Sequence, residues 1–263
     1  MKKIIFGGGF RLGSLAVFLS SLTGFAQMPA WGGNSAMIKL FGQNPSFTAQ
    51  ADIRVFDAKQ VELLRMPSVF ASADSKLRLD LDVKLARINR SEPVMVNTFN
   101  MFKQFGMDRI TSVLRPDKKV TYIIYPNAKS YANIPLTAED SQLTGQRIEK
   151  KPISRETLDG HVCVKNFSTV KNLKGAVLIQ ATTWNAIDLK GFPVQIEVTE
   201  NGRTTIMHFM NVNLARPDSR LFDVPAGYKQ IKDPQDLMNN ASRQPPPAAR
   251  RQPAVPSRPP ARK

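Results

Sequence analysis

From residue 46 onward the chain alternates with period two. Phe47, Ala49, Ala51, Ile53 and Val55 interleave with Thr48, Gln50, Asp52 and Arg54, the pattern of a strand with one dry and one wet face. The clearest run is Lys76–Leu85, where Leu77, Leu79, Leu81, Val83 and Leu85 alternate with Lys76, Arg78, Asp80, Asp82 and Lys84. Gln60–Met66 reads as another strand, continued by Val69–Ser72 past Pro67, which suits an edge or a bulge. Asp108–Leu114 and Lys119–Tyr125 flank a turn at Arg115-Pro116-Asp117-Lys118, and a short extended piece runs to Pro135. Ile148–Leu158, His161–Val170 and Ala176–Ala186 follow. The last pair, Val194–Glu200 and Arg203–Leu214, brackets Asn201-Gly202, a dipeptide that accepts the two positive φ angles of a tight hairpin. Val194, Ile196 and Val198 share one face of the first strand. Ile206, His208, Met210, Val212 and Leu214 are expected to form the apolar face of the second.

Two segments leave this period. Met95, Thr98, Phe99, Phe102 and Phe105 recur at helical spacing, with Ser91 as cap, Pro93 at an early position and Gly106 as stop. Ser35 is placed to cap a short helix over Ala36–Phe41, whose Met37, Ile38 and Phe41 would face the sheet before Gly42 ends it. Residues 136–147 keep no period and read as a loop. About ten strands joined by short turns predict sequential antiparallel pairing. The expected fold is mainly β: a strongly curled antiparallel half-barrel sheet with the 93–105 helix in its concave face. Asp188–Tyr228 would form the closing edge of that sheet, with Leu221–Tyr228 as a plug.

The ends differ from the body. Met1-Lys2-Lys3, the apolar run Leu12–Leu22 and the small residues before Gln27 form a secretory signal pattern, with cleavage expected after Ala26. Residues 27–45 are a lead-in and 46–232 the domain. Residues 233–263 form a tail, which from Gln244 onward holds seven prolines and no acid. The net charge is +16, and six basic groups lie in the last 27 residues: Arg243, Arg250, Arg251, Arg258, Arg262 and Lys263. Such charge calls for an acidic partner, and export turns that expectation from nucleic acid toward an anionic membrane surface or wall polymer.

Candidate chemistry is thin. One cysteine, Cys163, excludes an intramolecular disulfide, and two histidines argue against a metal centre. His161 and Cys163 sit two apart on one strand, but no orienting acid or Gly-rich oxyanion turn flanks them, so they read as a satisfied core pair. His208 reads as a core histidine. Asp80 and Asp82 lie on a wet face among opposite charges and read as solvated cross-strand partners, not an acid–base pair. G-x-S-x-G, H-E-x-x-H and phosphate-loop motifs are absent. No cofactor or catalysis is expected, and a monomer is.

Four stretches together resemble the LolA/LolB-like superfamily of bacterial envelope proteins, and within it an uncharacterised exported family. They are Arg115-Pro116-Asp117 with Tyr122–Pro126 and Tyr131; Glu156–Lys165; Trp184-Asn185-Ala186 with Asp188–Pro193; and Pro217-Asp218 with Leu221–Tyr228. The resemblance covers roughly residues 46–232. It implies an eleven-strand-class half-barrel closed by helices over an apolar cavity, which in the best-known members holds lipoprotein acyl chains. It implies binding, not catalysis, in the periplasm. Ligand contacts are then expected from Leu77, Leu79, Leu81 and Val83 on the leucine strand, Met95, Phe99, Phe102 and Phe105 on the helix, and Trp184. The tail arginines and Lys263 would meet an anionic surface.

Overall fold

The computed structural model describes residues 35–42, 45–137 and 145–232. The signal pattern and the basic tail lie outside the described residues. The protein is mostly β, with two α-helices among the described residues: α1 (Ala36–Leu40) and α2 (Pro93–Gln104). The strands are β1 (Phe47–Phe56), β2 (Glu62–Ala73), β3 (Lys76–Asp82), β4 (Arg87–Ile88), β5 (Arg109–Arg115), β6 (Val120–Tyr125) and β7 (Ser130–Pro135), then β8 (Arg147–Leu158), β9 (His161–Lys171), β10 (Val177–Ala186), β11 (Phe192–Glu200), β12 (Arg203–Asn213) and β13 (Lys229–Ile231).

All thirteen belong to one sheet, in the order β13-β7-β6-β5-β3-β2-β1-β12-β11-β10-β9-β8, with β4 on β2. Two antiparallel meanders, β1 to β7 and β8 to β12, meet where β1 pairs with β12. The sheet is open, since its end strands β13 and β8 do not pair with each other. β13 joins β7 in parallel, the one parallel pair among the described strands. The β11–β12 hairpin therefore lies at the join of the two meanders and not at a closing edge.

The alternation holds along β1 and β3. Phe47, Ala49, Ala51, Ile53, Val55, Leu77, Leu79 and Leu81 are all buried, as are Val194, Ile196 and Val198 of β11. β2 is one continuous strand through Pro67. Pro67 is tolerated because it falls in a gap: β4 pairs only at Leu64 and Arg65, and β3 starts at Ser68. β3 stops earlier than its pattern. The Asp82 carboxylate accepts the Lys84 N–H and caps a 3-10 turn over Val83–Leu85, which leaves Leu85 exposed.

β12 shows its other face from the one expected. Thr205, Met207 and Phe209 are buried, while His208 and Met210 face the wet side. A bulge is the reason. Thr48 pairs with Asn213 but Gln50 with Met210, and Asn211 takes φ +51° between them. Val212 and Leu214 do lean on the core. Extending their parity back across the bulge assigns Ile206 and His208 to the wrong face.

One apolar cluster joins the dry face to both helices. It includes Met37, Ile38, Leu40 and Phe41 around α1, and Met95, Phe99 and Phe102 of α2. Phe41 sits among Phe47 at 4.8 Å, Phe192 at 5.7 Å and Phe209 at 5.4 Å between ring centroids. Aromatic pairs of this kind add about 0.5–1.5 kcal/mol each beyond area burial. A five-residue helix cannot hold itself in water, so this burial is what keeps α1 helical. Ser35 does not cap it; its hydroxyl instead accepts from Gln146 Nε2 at 2.7 Å.

A smaller cluster forms on the opposite face, where Phe222 packs with Ala71, Ala73, Val113 and Ile124. The Leu221–Tyr228 stretch thus lies across the back of β2 and its neighbours and does not end the sheet. Only after it does the chain reach the edge, as β13.

Candidate ligand-binding site

α2 rides on an excursion between two neighbouring strands, β3 and β5. Its base is closed where the Val83 N–H donates to Asp108 O at 2.7 Å. Asp108 is buried, takes Lys84 Nζ at 2.8 Å and accepts Asn127 Nδ2 at 3.1 Å. Burial pushes its carboxyl up, but the Lys84 and Asn127 bonds outweigh this and hold it below the usual carboxylate range. On the amino-terminal side the Asn89 N–H donates to Leu63 O at 2.8 Å, and Glu92 pairs with Arg203 at 3.2 Å. The helix starts after Glu92, with Pro93 in its first turn and no side-chain cap. Ser91, expected as cap, donates instead to Asn89 Oδ1. Gly106, at φ +69°, ends the helix as expected.

The residues expected to touch a ligand fall mostly in this region. Leu77, Leu79, Leu81, Val83, Met95, Phe99 and Phe102 are buried in the one cluster that joins α2 to the sheet, and Phe105 is half-buried against it. Trp184 is buried too, but its indole is committed. Nε1 donates to Glu156 Oε2 at 3.0 Å, and Lys165 Nζ lies 4.8 Å from the ring centroid. The Trp184 N–H, the Ser154 hydroxyl and Lys165 together hold the Glu156 carboxyl below its usual range. The six basic tail residues lie outside the described residues.

His161 and Cys163 do not form a nucleophilic pair. His161 does have an orienting acid, Asp188, 2.7 Å from Nδ1, supplied by the β10–β11 turn, where sequence distance hides it. Cys163, however, is fully buried, and its thiol donates to His161 O at 3.4 Å. Burial pushes that thiol up, so little thiolate forms near neutral pH. His161 is half-exposed and opens β9, outside the core. His208 on the wet face pairs with Asp159 from the β8–β9 turn.

Arg115 is expected in a turn and in one of the stretches that carry the resemblance, with no partner assigned to it. It is 5% exposed. Its Nε and Nη2 bond both Asp117 oxygens at 2.9 and 2.7 Å, and Nη1 reaches Phe222 O at 2.8 Å and Asp223 Oδ1 at 2.5 Å. One guanidinium thus ties Arg115-Pro116-Asp117 to Leu221–Tyr228. Trp184 does the same elsewhere, its Nε1 bond to Glu156 Oε2 at 3.0 Å tying its own stretch to Glu156–Lys165. The stretches that carry the family resemblance meet in pairs.

On the wet face a groove of about 900 Å3 opens across β12, β1, β2, β3 and β5. Of the residues expected to contact a ligand, only Leu81 borders it.

A family model described as a domain of unknown function, DUF4412, matches residues 153–228. No curated protein matches the sequence. Solved structures similar to this chain include a LolA superfamily protein from Nitrosomonas europaea, at 10% identity and a TM-score of 0.36, covering 72% of this chain and 94% of the other. Lipoprotein LppX of Mycobacterium tuberculosis is similar at 9% identity and a TM-score of 0.36, covering 78% and 99%. A putative outer membrane lipoprotein-sorting protein domain from Vibrio parahaemolyticus is similar at 11% identity and 0.31, covering 74% and 97%.

Proposed function

We propose that this is an exported, non-enzymatic envelope protein that binds an acyl chain or another apolar ligand between the sheet and α2, and carries it across the periplasm. In this reading residues 46–232 form one half-barrel domain whose sheet curls around α2, behind a signal peptide and ahead of a basic tail. The observation that carries it is the placement of α2. Its Met95, Phe99 and Phe102 share one apolar cluster with the leucines of β3, on an excursion closed at its base by one backbone hydrogen bond. Lifting the helix opens an apolar space without breaking the strand ladder. The names of the similar structures, a lipoprotein-sorting domain among them, agree with this reading.

The energetics set a limit on such a carrier. Burial of a chain recovers about 0.8 kcal/mol per methylene, and a bilayer offers the same. A carrier must match the membrane without exceeding it. A side-chain-filled space that the ligand has to displace supplies that moderation, and Met95 adapts to irregular shapes at low cost. The test is mass spectrometry of protein purified gently from its native periplasm. An acyl lipid in near-equal amount is expected, and an empty protein would sink the proposal.

The tail composition supports a second reading, in which the protein is held to an anionic lipid or wall polymer. Each Lys or Arg near such a surface contributes about 1 kcal/mol, screened by salt. Envelope binding would then vanish at high salt or on removal of residues 242–263, and binding that survives both would end it.

A further inference from the structure

The wet face carries an arrangement that the core does not explain. Arg54 on β1 stands opposite Arg65 on β2, and Arg65 stands opposite Arg87 on β4. Three guanidinium side chains therefore leave the same face side by side. Directly opposed like charges destabilise a ladder unless something neutralises them.

The first two are neutralised within the protein. Arg54 Nη2 lies 2.5 Å from Glu62, and its guanidinium lies 4.9 Å from the centre of the Phe56 ring. Arg65 donates through Nε and Nη2 to a single Asp52 oxygen, Oδ2, at 2.8 Å each. Asp52 is 8% exposed, and its other oxygen, Oδ1, is buried with no donor among the described residues. Arg65 is thus fixed from one side, and its Nη1 is uncommitted among the described residues. Arg87 is exposed and has no acid within ion-pair distance among the described residues.

Arg65 and Arg87 both border the 900 Å3 groove, with Arg109 on the far wall, 3.7 Å from Asp82 and mostly exposed. The same groove is bordered by Val69, Leu85 and Met210, which are 45%, 57% and 40% exposed. A cation with no acid beside it among the described residues, next to exposed apolar side chains, matches a ligand that is anionic at one end and apolar at the other. The one surplus charge, on Arg87, matches the single negative charge of a phosphodiester, whose two free oxygens suit the fork geometry of guanidinium groups.

We propose that this groove binds the phosphodiester head of an anionic amphiphile, held by Arg87 and Arg65 with Arg109 opposite, its apolar part lying on Val69, Leu85 and Met210. The site lies on the other face from α2 and stands apart from the reading of the core.

The test is calorimetric titration of the full chain at low salt with dihexanoyl phosphatidylglycerol below its micelle concentration, and separately with inorganic phosphate. The lipid is expected to bind, and Arg87→Gln to weaken it about tenfold, the effect of losing one charge-assisted contact. Leu85→Asn should also weaken it, while Lys174→Gln, on the distant β9–β10 turn, should bind as the unaltered protein does. Arg87 is exposed and has no side-chain partner among the described residues, so its replacement leaves folding intact. Unchanged affinity in Arg87→Gln overturns the proposal, and so does equal binding of inorganic phosphate. Loss of binding in Phe99→Ala but not in Arg87→Gln would place the lipid in the core, overturning the groove site while supporting the carrier reading.

Discussion

Replacing Arg115 by methionine tests whether the back of the sheet is held by one side chain. The change removes two bonds to Asp117, one to Asp223 and one to Phe222 O, and keeps most of the buried stem. Asp117 and Asp223 are 46% and 52% exposed, so water replaces most of what they lose and their pairs are discounted to about 1 kcal/mol each. The Phe222 carbonyl loses its donor beside a buried ring, which adds about 1–2 kcal/mol. The expected cost is about 3 kcal/mol, or roughly 6–12 °C in Tm for a domain of this size. The loss is local first: Arg220, in the turn that Arg115 anchors, should become a fast trypsin site. The pH dependence follows from the carboxyls. Asp117 is held below the usual range, first by its bonds to Arg115, and Asp223 by Lys118 and then Arg115. A carboxyl lowered on folding contributes stability that is complete above its unfolded value near pH 4 and is lost as pH falls through the lower folded value. The unaltered protein should therefore lose this contribution in acid, and Arg115→Met should show a flatter stability profile below about pH 4. A variant within about 0.5 kcal/mol of the unaltered protein in urea, with unchanged cleavage at Arg220, would refute the latch.

Two further outcomes are expected. Phe99→Ala should cost about 3–5 kcal/mol by urea unfolding, because it empties a site that is 2% exposed, and an added short-chain fatty acid should restore part of that loss by filling the cavity. A cost below about 1 kcal/mol would mean that α2 is not seated on the core. Cys163 should resist iodoacetamide at pH 8 in the folded protein and react only on unfolding; alkylation at the rate of a free thiol would contradict its burial and its raised thiol.

The period-two stretches told most of the fold, because each strand faces water on one side. β1, β3 and β11 could be read residue by residue for that reason. Legibility ended where the local period breaks. The bulge at Asn211 shifts parity inside one strand, and no single residue there announces it. Pro67 looks like a strand end but sits in a gap between two neighbours, a fact about β3 and β4 rather than about β2. The parallel edge strand β13 has three residues, too few to alternate. The site was less legible still. The cluster under α2 follows from helical spacing, but the partners of Arg115, His161 and Arg65 are 108, 27 and 13 residues away, on elements that only the topology brings together. The pairing of Arg54, Arg65 and Arg87 depends on register across three strands, and register is the quantity a sequence specifies least directly.

The two faces of the sheet separate two kinds of demand. The dry face has its hydrogen bonds in the ladder and its apolar groups against α1 and α2, so a ligand there competes with side chains already in place. The wet face is crossed only partly, by Phe222 and the turn that Arg115 holds, and this covers β2, β3, β5 and β6 at one end. Arg78 marks the border: it donates to Leu221 O at 2.7 Å on that side and to both oxygens of Asp80 at the groove. The Leu221–Tyr228 segment thus covers one end of the wet face and leaves the other open, and the open end is where Arg87 stands without an acid among the described residues. Neutralising that charge with a carboxylate at residue 87 would have cost nothing in backbone geometry, since Arg87 is the exposed residue of a two-residue strand and only Ile88 leans on the core. An arginine with no acid beside it among the described residues thus fits the proposed ligand of the groove better than a part in holding the sheet together.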